Sequence, residues 1–226
     1  METNNTSSRI NGINANSKPA EIPNQYGFPM QTFGGAPISP LVPIYDCVPQ
    51  FSFFKAPITN VQPYSRATLR QIYNAVKGNY YKEQTDKLRT ITDPKQARIF
   101  KAQNFDYCTF SGIFTKRSDN ALLKHSKLLC LDFDNINIKT LRFQLLTDEY
   151  LNTQLLFVSP SGTGLKWIIT VDANAHTHAD YFNAVANYLK QTYNVEVDKS
   201  GKDISRACFL PYDPYAYINP YHLINR

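Results

Sequence analysis

Leu128-Leu129-Cys130-Leu131-Asp132-Phe133-Asp134-Asn135 decides how this chain is read. An apolar run of that length, bounded by polar residues, reads as a buried strand. Side chains alternate across a strand, so Asp132 and Asp134 share a face. At roughly 3.3 Å rise per residue their Cβ atoms lie about 6–7 Å apart. Two carboxylates so placed can share divalent metals, and two-metal phosphoryl-transfer sites hold their ions about 3.5–4 Å apart. An isolated Asp-x-Asp can equally be a strand end that caps a turn or a neighbouring helix, so the flanking sequence has to decide.

Downstream, Ile138 to Thr147 reads as a short helix, and Gln154 to Val158 and Leu165 to Val171 as strands. Between those strands lies Ser159-Pro160-Ser161-Gly162-Thr163-Gly164-Leu165-Lys166-Trp167. Two glycines and three hydroxyl residues at a hairpin turn can present backbone N–H groups to an anion. Lys166 adds a charge that suits phosphate. The stretch is not a Walker A loop, because it lacks Gly-Lys-Ser/Thr and a β run follows it. Read plainly, Gly-Thr-Gly is a turn. Residues 178–193 form the clearest helix, with Tyr181, Phe182, Val185, Tyr188 and Leu189 as a core stripe. Val195 to Val197 and Ala207 to Leu210 read as short strands around Asp198-Lys199-Ser200-Gly201-Lys202-Asp203-Ile204-Ser205-Arg206. Asp198 can supply a third carboxylate, and Lys202 and Arg206 can bind triphosphate or template. The alternative is a polar loop in which Asp203 pairs with Arg206.

Upstream, Val48 to Phe54 is expected as a first strand and Ser65 as the start of a helix. Leu69, Ile72, Tyr73 and Val76 form that helix's apolar face, and Gly78 stops it. Further helices are expected over about 80–90 and from Asp93-Pro94, where Asp caps and Pro opens the first turn. Cys108 to Phe114 and Lys127 to Phe133 read as strands. The fold class is α+β, a mainly antiparallel sheet flanked by helices. Residues 1–40 are rich in Asn, Ser, Thr, Pro and Gly and have no hydrophobic period, so 1–42 is assigned as a flexible tail and 43–226 as the domain.

The net charge of +6 and pI near 9.0 favour an anionic partner, nucleic acid first. Cys47, Cys108, Cys130 and Cys208 form no Cys-x-x-Cys pair and read as reduced core thiols rather than a zinc site. No signal peptide and no span of roughly 20 apolar residues is present, which points to a cytoplasmic protein with no membrane partner. Lys82, Lys87, Arg89, Lys95, Arg98 and Lys101 form either a template-binding face or the solvated side of two helices.

Taken in order, these segments resemble the archaeo-eukaryotic primase (primase-polymerase) superfamily, and more closely the virulence-associated E (VirE) N-terminal domain of mobile elements. The resemblance rests on Phe110-Ser111-Gly112-Ile113-Phe114, Leu131-Asp132-Phe133-Asp134, the Ser159 to Lys166 turn, and Asp203 to Pro214, and spans about residues 45–220. It implies an RRM-like catalytic core. It further implies a metal-dependent nucleotidyltransferase, a DNA primase or polymerase in replication of a mobile genetic element. Asp132, Asp134 and Asp198 would hold Mg²⁺ or Mn²⁺ and carry catalysis. Ser159, Ser161, Gly162, Gly164, Lys166, Lys202 and Arg206 would contact nucleotide phosphates. Implied partners are single-stranded or primed DNA, nucleoside triphosphates and a helicase on a separate chain, since no P-loop is present. Lys166 stands where that superfamily usually has His.

The alternative function is a catalytically silent nucleic-acid-binding module of the same fold, which Lys166 favours. A third reading, a relaxase-type nuclease, rests on His176-Thr177-His178 and on 15 tyrosines. It is disfavoured because the pair precedes a helix, where Thr177 or His178 reads as a helix start. His125 and His222 read as isolated surface or packing residues.

Overall fold

The computed structural model describes residues 48–224. The expected tail over 1–42, the start of order near Pro43, and Cys47 lie outside the described residues. Strand β1 (Gln50–Phe54) buries Phe51 and Phe54 and pairs with β2 (Ser65–Thr68). Ser65 therefore opens a strand, not a helix. The helix begins after Thr68, whose hydroxyl accepts the Gln71 N–H while the Gln71 side chain accepts the Thr68 N–H. That reciprocal cap satisfies two otherwise orphaned donors. Helix α1 (Leu69–Lys77) buries Leu69, Ile72 and Val76 and stops at Gly78. A 3-10 turn at Asn79–Tyr81 leads into α2 (Lys82–Thr90). Helix α3 (Pro94–Asn104) follows, with Asp93 as cap and Pro94 in its first turn.

The strand expected over 108–114 is two strands, β3 (Tyr107–Thr109) and β4 (Gly112–Phe114), in different sheets. The chain breaks at Phe110-Ser111, where the Ser111 hydroxyl donates to the Ile204 carbonyl. Gly112 then lies so near β5 (Leu122–His125) that a Cβ would sit 2.4 Å from the Lys124 oxygen. The apolar run before Asp134 is β6 (Leu128–Phe133), followed by α4 (Ile138–Leu146) and the hairpin of β7 (Thr153–Val158) and β8 (Leu165–Thr170). Helix α5 (His178–Tyr193) spans the expected residues and buries Phe182, Val185, Tyr188 and Leu189. Thr177 caps it, reciprocally with Asp180. Strands β9 (Cys208–Phe209) and β10 (Tyr217–Ile218) complete the set.

The fold is α+β, with five helices among the described residues, and all strand pairings are antiparallel. In place of one sheet there are two four-stranded sheets, ordered β2-β1-β3-β9 and β10-β7-β8-β6, and a β4-β5 ribbon. One apolar core joins them. Leu69, Ile72 and Val76 of α1 pack with Phe51 and Cys108 of the first sheet and with Leu128, Leu155, Phe157 and Ile168 of the second. Cys108, Cys130 and Cys208 are unpaired thiols, with Cys108 and Cys208 buried. No helix among the described residues is long and apolar enough to cross a membrane.

Candidate metal centre

Strand β6 sits at the end of its sheet and pairs with β8 along its whole length. That register sets Asp132 directly opposite Lys166. Cross-strand neighbours have Cβ atoms about 4.5–5.5 Å apart, and the Lys166 ammonium donates to Asp132 Oδ2. Both side chains are largely buried, 12% and 14% exposed. Burial alone would lower the Lys166 pKa, but the Asp132 charge and hydrogen bond outweigh it and raise the pKa above the ordinary lysine value. The other oxygen, Asp132 Oδ1, is buried without a hydrogen-bond partner.

The third carboxylate arrives from far along the chain. Val195 to Val197 is not a strand; the bond from the Asp198 N–H to the Asp132 carbonyl, at 2.9 Å, docks the segment's end on β6. A 3-10 turn at Lys199–Lys202 begins there, and Asp198 caps it by accepting the Ser200 N–H. Gly201 lets that turn sit against α5, since a Cβ would meet the Phe182 ring at 2.7 Å. Arg206 donates to Asp198 at 2.8 Å, so the Asp203–Arg206 side-chain pair is not what forms. Burial would raise the Asp198 pKa, but the Ser200 amide and the charges of Arg206 and Lys166 hold it below the usual value. Asp134 is exposed and makes no side-chain hydrogen bond or ion pair with another described residue. One ligand oxygen from each of Asp132, Asp134 and Asp198 lies within 4.8 Å of the others. Three hard oxygen donors with one orphaned buried atom among them fit Mg²⁺ or Mn²⁺ better than a softer ion.

The Ser159 to Gly164 turn flanks this centre. Gly164 passes so close to β6 that a Cβ would sit 1.9 Å from the Phe133 carbonyl oxygen and 3.3 Å from Asp134 Cα. Gly162 takes φ +80°, a conformation glycine adopts without strain. The turn's polar groups are partly committed to one another. Ser159, Ser161 and Thr163 hydroxyls form a chain of 3.0 Å contacts, and the Gly164 N–H donates to the Ser159 hydroxyl. The amides of Ser159 and Gly162 also bond within the turn. The expected cradle of free N–H groups is thus partly closed, and Ser161 and Thr163 carry the exposed hydroxyls of the turn. Lys202 is exposed and forms no ion pair with the three carboxylates.

Two contributors lay in the sequence without a signal of their own. Arg89 reaches from α2 to the turn and donates to the carbonyls of Pro160 and Ser159 at 3.2 and 3.4 Å. Lys101, on α3, is half-buried with its ammonium 5.6 Å from the Phe209 ring centroid. Burial and then the Lys166 charge lower its pKa, with Asp132 and Asp134 opposing, so it belongs to the centre electrostatically. Both are among the six basic residues of α2 and α3. Lys82 of the same set pairs with Asp86, and Lys87 covers the Phe100 ring. That set is therefore not one uniform face. His125 is not isolated: its Nε2 lies 3.3 Å from His178 Nδ1. His222 bonds Gln154 at 2.7 Å.

The segments behind the VirE resemblance have structural tasks that any such fold could require. Ser111 and Gly112 make the β3–β4 break. Asp213 accepts the Val158 N–H at 2.8 Å and pairs with Arg142 at 3.0 Å. No curated protein and no solved structure matches the chain. The family model that does match is a different one, so the assignment to VirE and the primase-polymerases is overturned. The match runs over residues 100–218, more than half of the chain and the whole three-carboxylate centre. The chain belongs to the BT4734-like, N-terminal domain family.

Proposed function

We propose that the centre carries out metal-dependent nucleotidyl transfer, adding nucleoside triphosphates to a single-stranded or primed nucleic-acid substrate. The observation that carries this reading is the convergence of Asp132, Asp134 and Asp198 from two distant segments to within 4.8 Å, with Lys166, Arg206 and Lys101 around them. Bound Mg²⁺ or Mn²⁺ supplies charge stabilisation on phosphoryl oxygens. Lys166 and Arg206 hold phosphate oxygens, Arg206 through a planar fork and Lys166 as a point charge. The turn lies against β6 beside Asp134, and Arg89 holds it through two of its carbonyls. The basic composition, net charge +6, suits a polyanionic strand.

The test is incorporation of labelled nucleotides on single-stranded and primed DNA with Mg²⁺ or Mn²⁺. Asp132→Asn and Asp134→Asn should each reduce it by about a hundredfold or more, with circular dichroism unchanged. Full activity in both variants would sink the assignment. A second reading, a non-catalytic nucleic-acid-binding module, is favoured by one observation: Lys166 occupies an oxygen of Asp132. It predicts salt-sensitive DNA binding that needs no metal and ignores the Asp132 substitution.

A further inference from the structure

Lys166 and Asp132 are neighbours by strand register, so their contact is built into the backbone and does not depend on a mobile surface side chain. The ammonium is largely buried, and the carboxylate it holds is one of the three ligand groups. A metal arriving alone meets Asp132 with one oxygen, Oδ2, held by Lys166 and only Oδ1 open to it. That would leave a buried ammonium beside a dication, with Lys101 and Arg206 adding further positive charge. Like charges brought together in a largely buried site repel strongly. In the protein itself the three carboxylates face three cations, Lys166, Arg206 and Lys101, so its own charges nearly cancel. A dication alone adds two positive charges to that balance, and a polyphosphate anion delivered with it more than offsets them. The anion also offers Lys166 a new partner. The Ser159 to Gly164 turn, on the same hairpin as Lys166, exposes the hydroxyls of Ser161 and Thr163.

We propose that Lys166 is a built-in counter-ion that guards Asp132, so that the centre takes a divalent metal together with a polyphosphate anion and only weakly without one. This rests on the metal-centre reading above and adds a binding order to it. Coupling of this kind is reciprocal: each ligand tightens the other by the same factor, commonly between about fivefold and about 150-fold.

The experiment measures Mn²⁺ binding by calorimetry and electron paramagnetic resonance, with Mn²⁺ alone and with a preformed equimolar Mn²⁺–inorganic triphosphate complex. Wild-type protein should bind the complex at least about tenfold more tightly than Mn²⁺ alone. Lys166→Met should gain about tenfold for Mn²⁺ alone and lose affinity for the complex, and Lys166→Arg should behave as wild type. Wild-type protein that binds Mn²⁺ alone as tightly as the complex overturns the proposal, whether or not Lys166→Met folds. So does a folded Lys166→Met whose affinity for Mn²⁺ alone stays within about twofold of wild type. Asp132→Asn separates the two readings. If it binds Mn²⁺ as wild type does, the metal centre itself is misplaced. If it loses Mn²⁺ while Lys166→Met gains nothing, the centre stands and the guard does not.

Discussion

At the scale of single residues, the centre depends on close approaches that leave no room for a side chain. Gly164 is the sharpest case, because the atom that a Cβ would strike is the Phe133 backbone carbonyl, which cannot rotate away. Overpacking of this kind typically costs about 1–3 kcal/mol. We therefore expect Gly164→Ala to lose about 2 kcal/mol in denaturant unfolding and to lower nucleotide incorporation by pushing the turn off Asp134. Unchanged stability would mean that the turn relaxes without cost. Arg206 is exposed, and its bond to Asp198 is a single contact. Arg206→Ala should cost little stability, under about 1 kcal/mol. In the nucleotidyl-transfer reading it raises KM for nucleotide more than it lowers kcat, which steady-state kinetics resolve.

Helix starts show how far local sequence reaches. Asp93 and Thr177 both cap helices where their residue types say they should, because a cap is made within four residues. Ser65 has the right chemistry for a cap and yet begins β2, because β1 pairs with it and defers the helix to Thr68. Thr177→Ala removes a two-way cap from α5, which packs beside β6 and the Asp198 turn. The expected loss is about 1 kcal/mol in chemical denaturation, with local hydrogen exchange faster in the first turn of α5. A variant as stable as wild type would mean that packing alone holds α5. The two-residue strand β10 carries almost no periodic signal, and although β9 falls inside the run expected over 207–210, the partners of the two, β3 and β7, lie some 60–100 residues earlier in the chain.

For the whole molecule, buried and half-buried histidines set the acid side of the stability curve. Burial pushes His125 down to about 4, with the nearby His178 adding to the effect. Burial likewise pushes His222 down to about 4 and lowers His178. A histidine whose folded pKa is depressed stays neutral while the unfolded chain takes up a proton near pH 6.5. The histidine contribution should therefore fall as pH drops from about 6.5 to about 4 and level off below. Asp198, also depressed, acts lower: its contribution is present above the unfolded value, near 4, and is lost as pH falls through the folded one. Thermal unfolding from pH 7 to 4.5 should show a steady decline in Tm, flattened in His125→Gln. A flat profile across that range would contradict the assignment.

Sequence by itself determined the parts whose physics is local. The alternating and apolar runs of β6, β7 and β8, the hairpin turn and the stripe of α5 follow from side-chain periodicity over a few residues. Asp132 and Asp134 could be placed together for the same reason: strand geometry fixes residues two apart on one face. Asp198 has the right type and stands after a short apolar run, but only the tertiary structure brings it to Asp132, through a backbone bond across 66 residues. Lys166 as the partner of Asp132 needed the strand register. Lys101 and Arg89 needed the packing of α2 and α3 against the turn and β9. The division into two sheets, the β3–β4 break and the His125–His178 contact were likewise decided there. Each of these joins residues far apart in the chain, and no periodicity in a sequence records which distant segments exclude water from one another.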